Sequence, residues 1–301
     1  AFDNGRLTDI RKDFLVKKFI DNEDPKREGK GPHRVRGIEF GSSALSKAGL
    51  DTLINIKALP LGSATLSLRF KLLSPLLTKD DDPFYLFDNP VRRDHVFGVP
   101  YLSAASIKGL SADAYQRAFT GSAPLSGDDD AARTRQFRLN DPHARRLFGI
   151  ADDGVQDGLT SQAGRLHFSP VWFNAVQYLV MNPMDDEKGV GTLPIHFEAI
   201  APVTADGKPV EAQLNLFYFN PAGAEESDMK AVRGDLARWL ASVASWWPVL
   251  GLGAKRLAGY GAIEPVAAQC AAKGWEGWDS EKSLKGENSW MTLAELIAKG
   301  A

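Results

Sequence analysis

The sequence predicts an α+β fold of the ferredoxin-like (RRM-like) kind, a β-α-β-β-α-β core carrying insertions. Two observations predict it. Four segments alternate apolar and polar residues with strand period, and two longer segments repeat apolar residues at helical spacing. Along the chain they read strand, helix, strand, strand, helix, strand, an order that lays two helices on one face of an antiparallel sheet.

The first strand is Ala64 to Leu73, in which Leu66, Leu68, Phe70 and Leu72 point to one face. Ser74-Pro75 closes it, and a long loop runs to Pro100. A helix follows from Ser103 to Phe119, with Ile107, Leu110, Ala114 and Tyr115 on one stripe and Ser103 or Ser106 where an N-cap belongs. Residues 120–163 read as an insertion around a short basic helix, Arg133 to Phe148. Gly164–Phe173 and Glu211–Phe219 are the second and third strands. Residues 226–247 are the second helix, striped by Val232, Leu236, Trp239, Leu240 and Val243. A glycine loop, Gly251 to Gly261, leads to a last strand at Tyr260–Val266, and the polar tail holds one short helix at 291–299.

Ahead of this core, residues 1–63 read as an extension. Phe14, Leu15, Phe19 and Ile20 suit one amphipathic helix, and Pro25 to Arg36 is an arm rich in breakers and positive charge. Such an arm is either a solvated loop or an RNA clamp.

Composition narrows the function. The chain has 301 residues, 44% hydrophobic and 25% charged, with a formal net charge of −2, so any nucleic-acid contact must rest on a local basic face. One cysteine, Cys270, excludes an internal disulfide, and no apolar run approaches the length of a membrane span. A cytoplasmic location with no membrane partner is expected. Phosphate-loop, dinucleotide, G-x-S-x-G and H-E-x-x-H patterns are absent, and the five histidines are scattered.

Three segments carry chemistry. Asp88-Asn89-Pro90-Val91-Arg92-Arg93 puts a carboxylate and two guanidinium forks, each suited to phosphate, in one stiffened loop. Ser103 to Gly109 opens a helix whose free amides favour anions, with Ser106, Lys108 and the costly helical glycine Gly109 in its first turns. Gly251 to Gly261 surrounds Lys255 and Arg256 with Gly253, Gly259 and Gly261, and its Tyr260 is placed to stack on a base. Each segment alone reads more plainly as a turn, a capped helix or a hairpin loop.

In this order the three resemble the RAMP superfamily, and more narrowly the RNA-binding backbone subunits of type III CRISPR effector complexes. The family motifs read roughly D-x-P-V-x-R, P-Y-I-P-G-S-S-L-K-G and G-G-x-x-S-R-G-Y-G, and the matches cover about residues 64–119 and 245–266. Ser103-Ala104-Ala105 stands where Pro-Gly-Ser is usual, Ala112 where an arginine is, and Leu257-Ala258 where Ser-Arg is. The resemblance implies a RAMP core at 64–267, with the insertion 120–163 and a hairpin thumb at about 175–210, followed by a tail at 268–301.

It implies CRISPR guide RNA, target RNA and other RAMP subunits as partners. Arg92, Arg93, Ser106, Lys108, Gly109, Gly253, Lys255, Arg256, Gly259, Tyr260 and Gly261 would contact RNA. Asp88 would be the catalytic and metal-binding residue of a target-RNA endoribonuclease using Mg or Mn, in which a ribose 2′-hydroxyl attacks the adjacent phosphate. The same resemblance leaves open a non-cleaving capping or assembly subunit and a guide-processing endonuclease.

Overall fold

The computed structural model describes residues 54–78, 80, 89–120, 129–150, 161–181, 184–185, 190–191, 193–221, 226–278 and 280–300. The helix expected near residues 14–20, the basic arm and Asp88 lie outside the described residues. The ferredoxin-like core is built from β1 (Ala64–Leu72), α1 (Ala104–Thr120), β2 (Leu166–Phe168), β3 (Glu211–Tyr218), α2 (Glu226–Leu250) and β4 (Ile263–Ala272). β5 (Lys282–Lys285) and α3 (Ser289–Lys299) follow. The sheet runs β5-β4-β1-β3-β2, every neighbouring pair antiparallel. With β5 set aside, the core strands stand in the order fourth, first, third, second, which is the ferredoxin-like arrangement.

Strand alternation decides the faces. Leu66, Leu68 and Phe70 are fully buried on the helix side, while Arg69 and Lys71 point to the other side and pair with Glu211 and Glu264. Leu66 stands between Leu216 and Cys270, and Phe70 stands opposite Pro265. The register with β4 shifts between Arg69 and Phe70, where Pro265 brings no amide to the ladder.

Several elements differ from the sequence reading. Gly164–Phe173 is not one strand. Ser169-Pro170 divides it into β2 and the pair Val171–Trp172, which bonds to Tyr101–Leu102 instead. The insertion holds two helices, Asp129–Asn140 and Pro142–Phe148. Asp141 separates them by accepting the amides of His143 (2.8 Å) and Ala144 (3.2 Å), with Pro142 in the first turn. The strands Val176–Met181 and Ile195–Ile200 pair as a long hairpin, extended by Met184–Asp185 against Val190–Gly191.

Residues beyond 267 pack as core. β4 continues to Ala272, and Trp290, Leu293 and Ile297 of α3 are completely buried. Trp290 Nε1 donates to the Ala267 carbonyl at 2.9 Å, and its ring meets Phe70 and Trp247 edge-on. The signal was present: Trp290, Leu293, Ala294 and Ile297 fall at the spacing of one helix face. Among the described residues, no helix is long and apolar enough to cross a membrane.

A buried carboxylate ties the insertion to this core. Asp235 of α2 has no exposed surface and accepts from Arg146 (2.8 and 2.7 Å) and Tyr218 (2.6 Å), with His143 Nδ1 at 2.6 Å. Burial first, then Asp235, pushes the Tyr218 phenol well above its ordinary value, so it stays protonated and donates. Asp235→Ala should lower unfolding free energy by about 3 kcal/mol, because breaking such a network strands its cations. Urea unfolding followed by tryptophan fluorescence checks it, with a loss below about 1 kcal/mol counting against the network.

Candidate functional site

The cleft beside α1 is made where three distant stretches of chain meet. Its volume is about 450 Å³. It is lined by Leu77 and Thr78 after β1, by Arg92 and Tyr101, by Ser103 with the α1 residues Ser106 and Gly109, and by Gly253 with Ala254.

Each wall has a local cause. The stretch 89–101 folds back on itself: Asp94 N donates to the Val99 carbonyl and Tyr101 N to that of Arg92, both at 3.0 Å. The Asp94 carboxylate accepts from the amides of Val96 and Phe97 at the tip, each at 2.9 Å. The amide of Arg92 donates to Thr78 Oγ1 at 2.8 Å, which sets the exposed Arg92 side chain at the cleft. At the start of α1, Ser103 Oγ accepts from the Ser106 amide at 3.2 Å, and the two hydroxyls lie 2.9 Å apart. Ser103 is therefore the cap, and the cleft holds two hydroxyls beside the positive end of a helix dipole.

The glycine loop reaches the cleft because its glycines admit close backbone. Gly253 has φ +77° and an added Cβ would collide with the Leu77 carbonyl oxygen. Gly261 has φ +72° and would collide with that of Leu252. Ala254 N then donates to Leu77 O and Gly261 N to Pro75 O, both at 2.8 Å.

The remaining sequence-derived residues divide. Arg92, Ser106, Gly109 and Gly253 line the cleft. Arg93 turns away and makes a two-pronged pair with Glu198, at 2.6 and 3.1 Å. Arg256 pairs with Asp113 of α1 at 3.4 Å. Lys255 adopts a left-handed backbone (φ +53°, ψ +34°), and its ammonium lies 3.4 Å from Met181 Sδ on the hairpin. Tyr260 meets Phe197 edge-on at 6.3 Å, so its ring packs on the hairpin root. Gly259, at φ +84°, has open space around it. Lys108 lies about 200° around α1 from Ser106, at roughly 100° per residue, and faces away from the cleft.

Glu198 is the residue the sequence reading missed. It is buried, accepts Arg93 and the amide of Val91 (3.1 Å), and donates its own amide to Asn89 O at 3.1 Å. It locks the 89–93 stretch to the hairpin root. An acidic residue flanked by apolar Phe197 and Ala199 in a strand was the available signal.

A family model for the RAMP superfamily matches residues 69–264, a span reaching from β1 into β4. The chain belongs to the RAMP superfamily. Among solved structures, this RAMP protein is similar to a chain in a cryo-EM structure of the type III-B Cmr-beta bound to cognate target RNA. That match has 14% identity and a TM-score of 0.45, over 81% of this chain and 65% of that one. It is also similar to a chain of a Csm3–Csm4 subcomplex from the type III-A CRISPR-Cas interference complex. There the identity is 15% and the TM-score 0.42, over 80% of this chain and 97% of that one. No curated protein matches the sequence.

The lining of the RAMP cleft suits an anion. Its described residues supply a guanidinium and hydroxyls but no carboxylate, so they do not fit a resident divalent cation, which takes oxygen ligands and at least one acid. Two glycines test this geometry from opposite sides. An added Cβ at Gly109 meets nothing, so Gly109→Ala should stabilise α1 by about 1 kcal/mol. Gly253→Ala should cost about 2 kcal/mol or more through its backbone clash and positive φ. Thermal melts of the two variants check both signs, and a fall for Gly109→Ala would mean that the helix needs the glycine.

Proposed function

We propose that this chain is a guide-RNA-binding subunit of a type III CRISPR effector ribonucleoprotein, holding RNA by its phosphate backbone in the cleft. One observation carries the reading. Three motifs separated by up to about 160 residues in sequence bring Arg92, Ser103, Ser106 and Gly253 to a single cleft at a helix N-terminus. Arg92 offers a two-pronged donor to a phosphate, the serine hydroxyls and first-turn amides offer further donors, and Gly109 leaves room for a backbone to approach. The partners under this reading are guide RNA, paired target RNA and other RAMP subunits.

The chemistry addresses phosphate, not bases. Arg92→Ala should therefore weaken binding of single-stranded RNAs of unrelated sequence equally. It should also flatten the slope of log affinity against log salt by about 0.7 for each phosphate that is no longer neutralised. Titration of labelled oligomers over a salt series reads both. Loss confined to certain sequences would mean base readout and would overturn the backbone reading. Guide-length RNA should co-purify with the protein expressed beside its neighbouring subunits, and its absence would overturn the guide assignment.

Cleavage of the target strand is assigned to Asp88. Its carboxylate would take the proton of a ribose 2′-hydroxyl as that oxygen bonds to the adjacent phosphorus. The P–O5′ bond then breaks, and the leaving oxygen is protonated by water. The Glu198 clip begins at Asn89, the residue next to Asp88. Asp88→Ala should abolish cutting of guide-paired RNA while guide binding and assembly persist. Undiminished cutting by that complex, read on a denaturing gel, would make this a non-cleaving subunit.

A further inference from the structure

Two adjacent residues of one hairpin strand reach two different parts of the cleft lining. Side chains alternate along a strand, so Phe197 and Glu198 leave Ile195–Ile200 on opposite faces.

Glu198 serves the part that carries Arg92. Its carboxylate accepts the Val91 amide at 3.1 Å and the Arg93 guanidinium at 2.6 and 3.1 Å, one partner on each side of Arg92 in sequence. Val91 is fully buried and the Arg93 side chain is only 12% exposed, whereas Arg92 between them is exposed and lines the cleft. The Arg92 amide is itself tied to Thr78 Oγ1 at 2.8 Å. With both neighbours turned inward and its own amide held, Arg92 is directed outward.

Phe197 serves the glycine part. It clusters with Leu77 and Ala199, apart from the main core, and Leu179, Met181 and Tyr260 pack against them. The Leu77 carbonyl accepts the Ala254 amide at 2.8 Å, and Leu77, Gly253 and Ala254 all line the cleft. Leu76 and Ile200 exchange backbone bonds at 3.1 and 2.9 Å, which fixes the strand against the chain leaving β1.

We infer that Glu198 is the positioning residue for Arg92, and that the strand carrying it spaces Arg92 from Gly253 and Ala254, so that the hairpin sets the geometry in which the cleft takes a backbone phosphate. Tyr260 then holds the glycine loop to this strand and does not stack on a base. The inference rests on the phosphate-binding reading above, but not on the guide assignment or on cleavage.

The test uses the purified full chain with a labelled ten-nucleotide oligouridine and an abasic ribose-phosphate oligomer of equal length, titrated over a salt series. The double variant Arg93→Met/Glu198→Leu removes one charge of each sign and keeps the volume. It should melt near the temperature of the unmodified chain or above it, because apolar residues often replace a buried ion pair without loss. It should nevertheless flatten the salt slope by about 0.7, the value for one phosphate, as Arg92→Ala does. Adding Arg92→Ala to it should flatten the slope no further, since both changes disable the same contact. A further drop of about 0.7 would overturn the positioning role, because the pair would then act on RNA separately from Arg92. So would an unchanged slope in the double variant when Arg92→Ala lowers it. Glu198→Gln, which keeps the shape, carries the same expectations if the double variant does not fold. Asp235→Asn disturbs a buried arginine pair outside the cleft lining and should leave the slope as it is; a matching fall there would reduce the Glu198 effect to general destabilisation and overturn the inference. Tyr260→Leu should weaken both oligomers by the same factor, and a loss confined to oligouridine would mean stacking and overturn the spacer role. If Arg92→Ala has no effect on either oligomer, the phosphate reading falls and this inference falls with it.

Discussion

β1 is hydrogen-bonded along both edges, and this one constraint places nearly everything else. With Leu66 held between Leu216 and Cys270, the strand cannot slip by a residue without turning its apolar side chains to the wrong face. Its far end is equally constrained. Ser74 Oγ accepts the amide of Ala262, and the Pro75 carbonyl accepts that of Gly261, both at 2.8 Å. Leu76 then bonds to Ile200 and Leu77 to Ala254. These consecutive residues leaving the central strand thus position the glycine loop, the root of the hairpin and part of the cleft lining.

Two buried carboxylates do the joining that backbone pairing does not. Glu198 fastens the motif loop to the hairpin, and Asp235 fastens the insertion to the core. Each is almost wholly shielded from water, each takes an arginine fork, and each collects a further donor. Dehydrating a carboxylate is costly, so such joints tolerate only geometries in which all the donors arrive together. They specify where a segment sits more than they stabilise the whole.

The core was largely legible because its signals are local. Period-two alternation in β1 and β3 and the apolar stripe of α2 depend on neighbours in sequence, and they fix the order and the sheet. The site was legible as three motifs but not in its details. Which arginine faces the cleft depends on a carboxylate about a hundred residues away: Glu198 takes Arg93, and Arg92 lines the cleft. Tyr260 has an aromatic partner, Phe197, from a hairpin the loop sequence does not announce. Lys108 could have been placed from the sequence, since helical geometry turns it away from Ser106. The segment after residue 267 reads as a tail because it is polar overall, whereas its tryptophans Trp275, Trp278 and Trp290 are buried.

The sheet also ends in a particular way. Its outermost described strands are only three residues long at β2 and four at β5, and β5 begins and ends with lysine. Short, charged borders give a neighbouring chain little ladder to extend, so a partner gains few main-chain hydrogen bonds by adding a strand. The large apolar side chains left exposed near the cleft stand away from the sheet, at the tip with Val96 and Phe97 and at the fully exposed Leu257 of the glycine loop. A border of this kind works against the sheet fusing edge to edge with that of another chain.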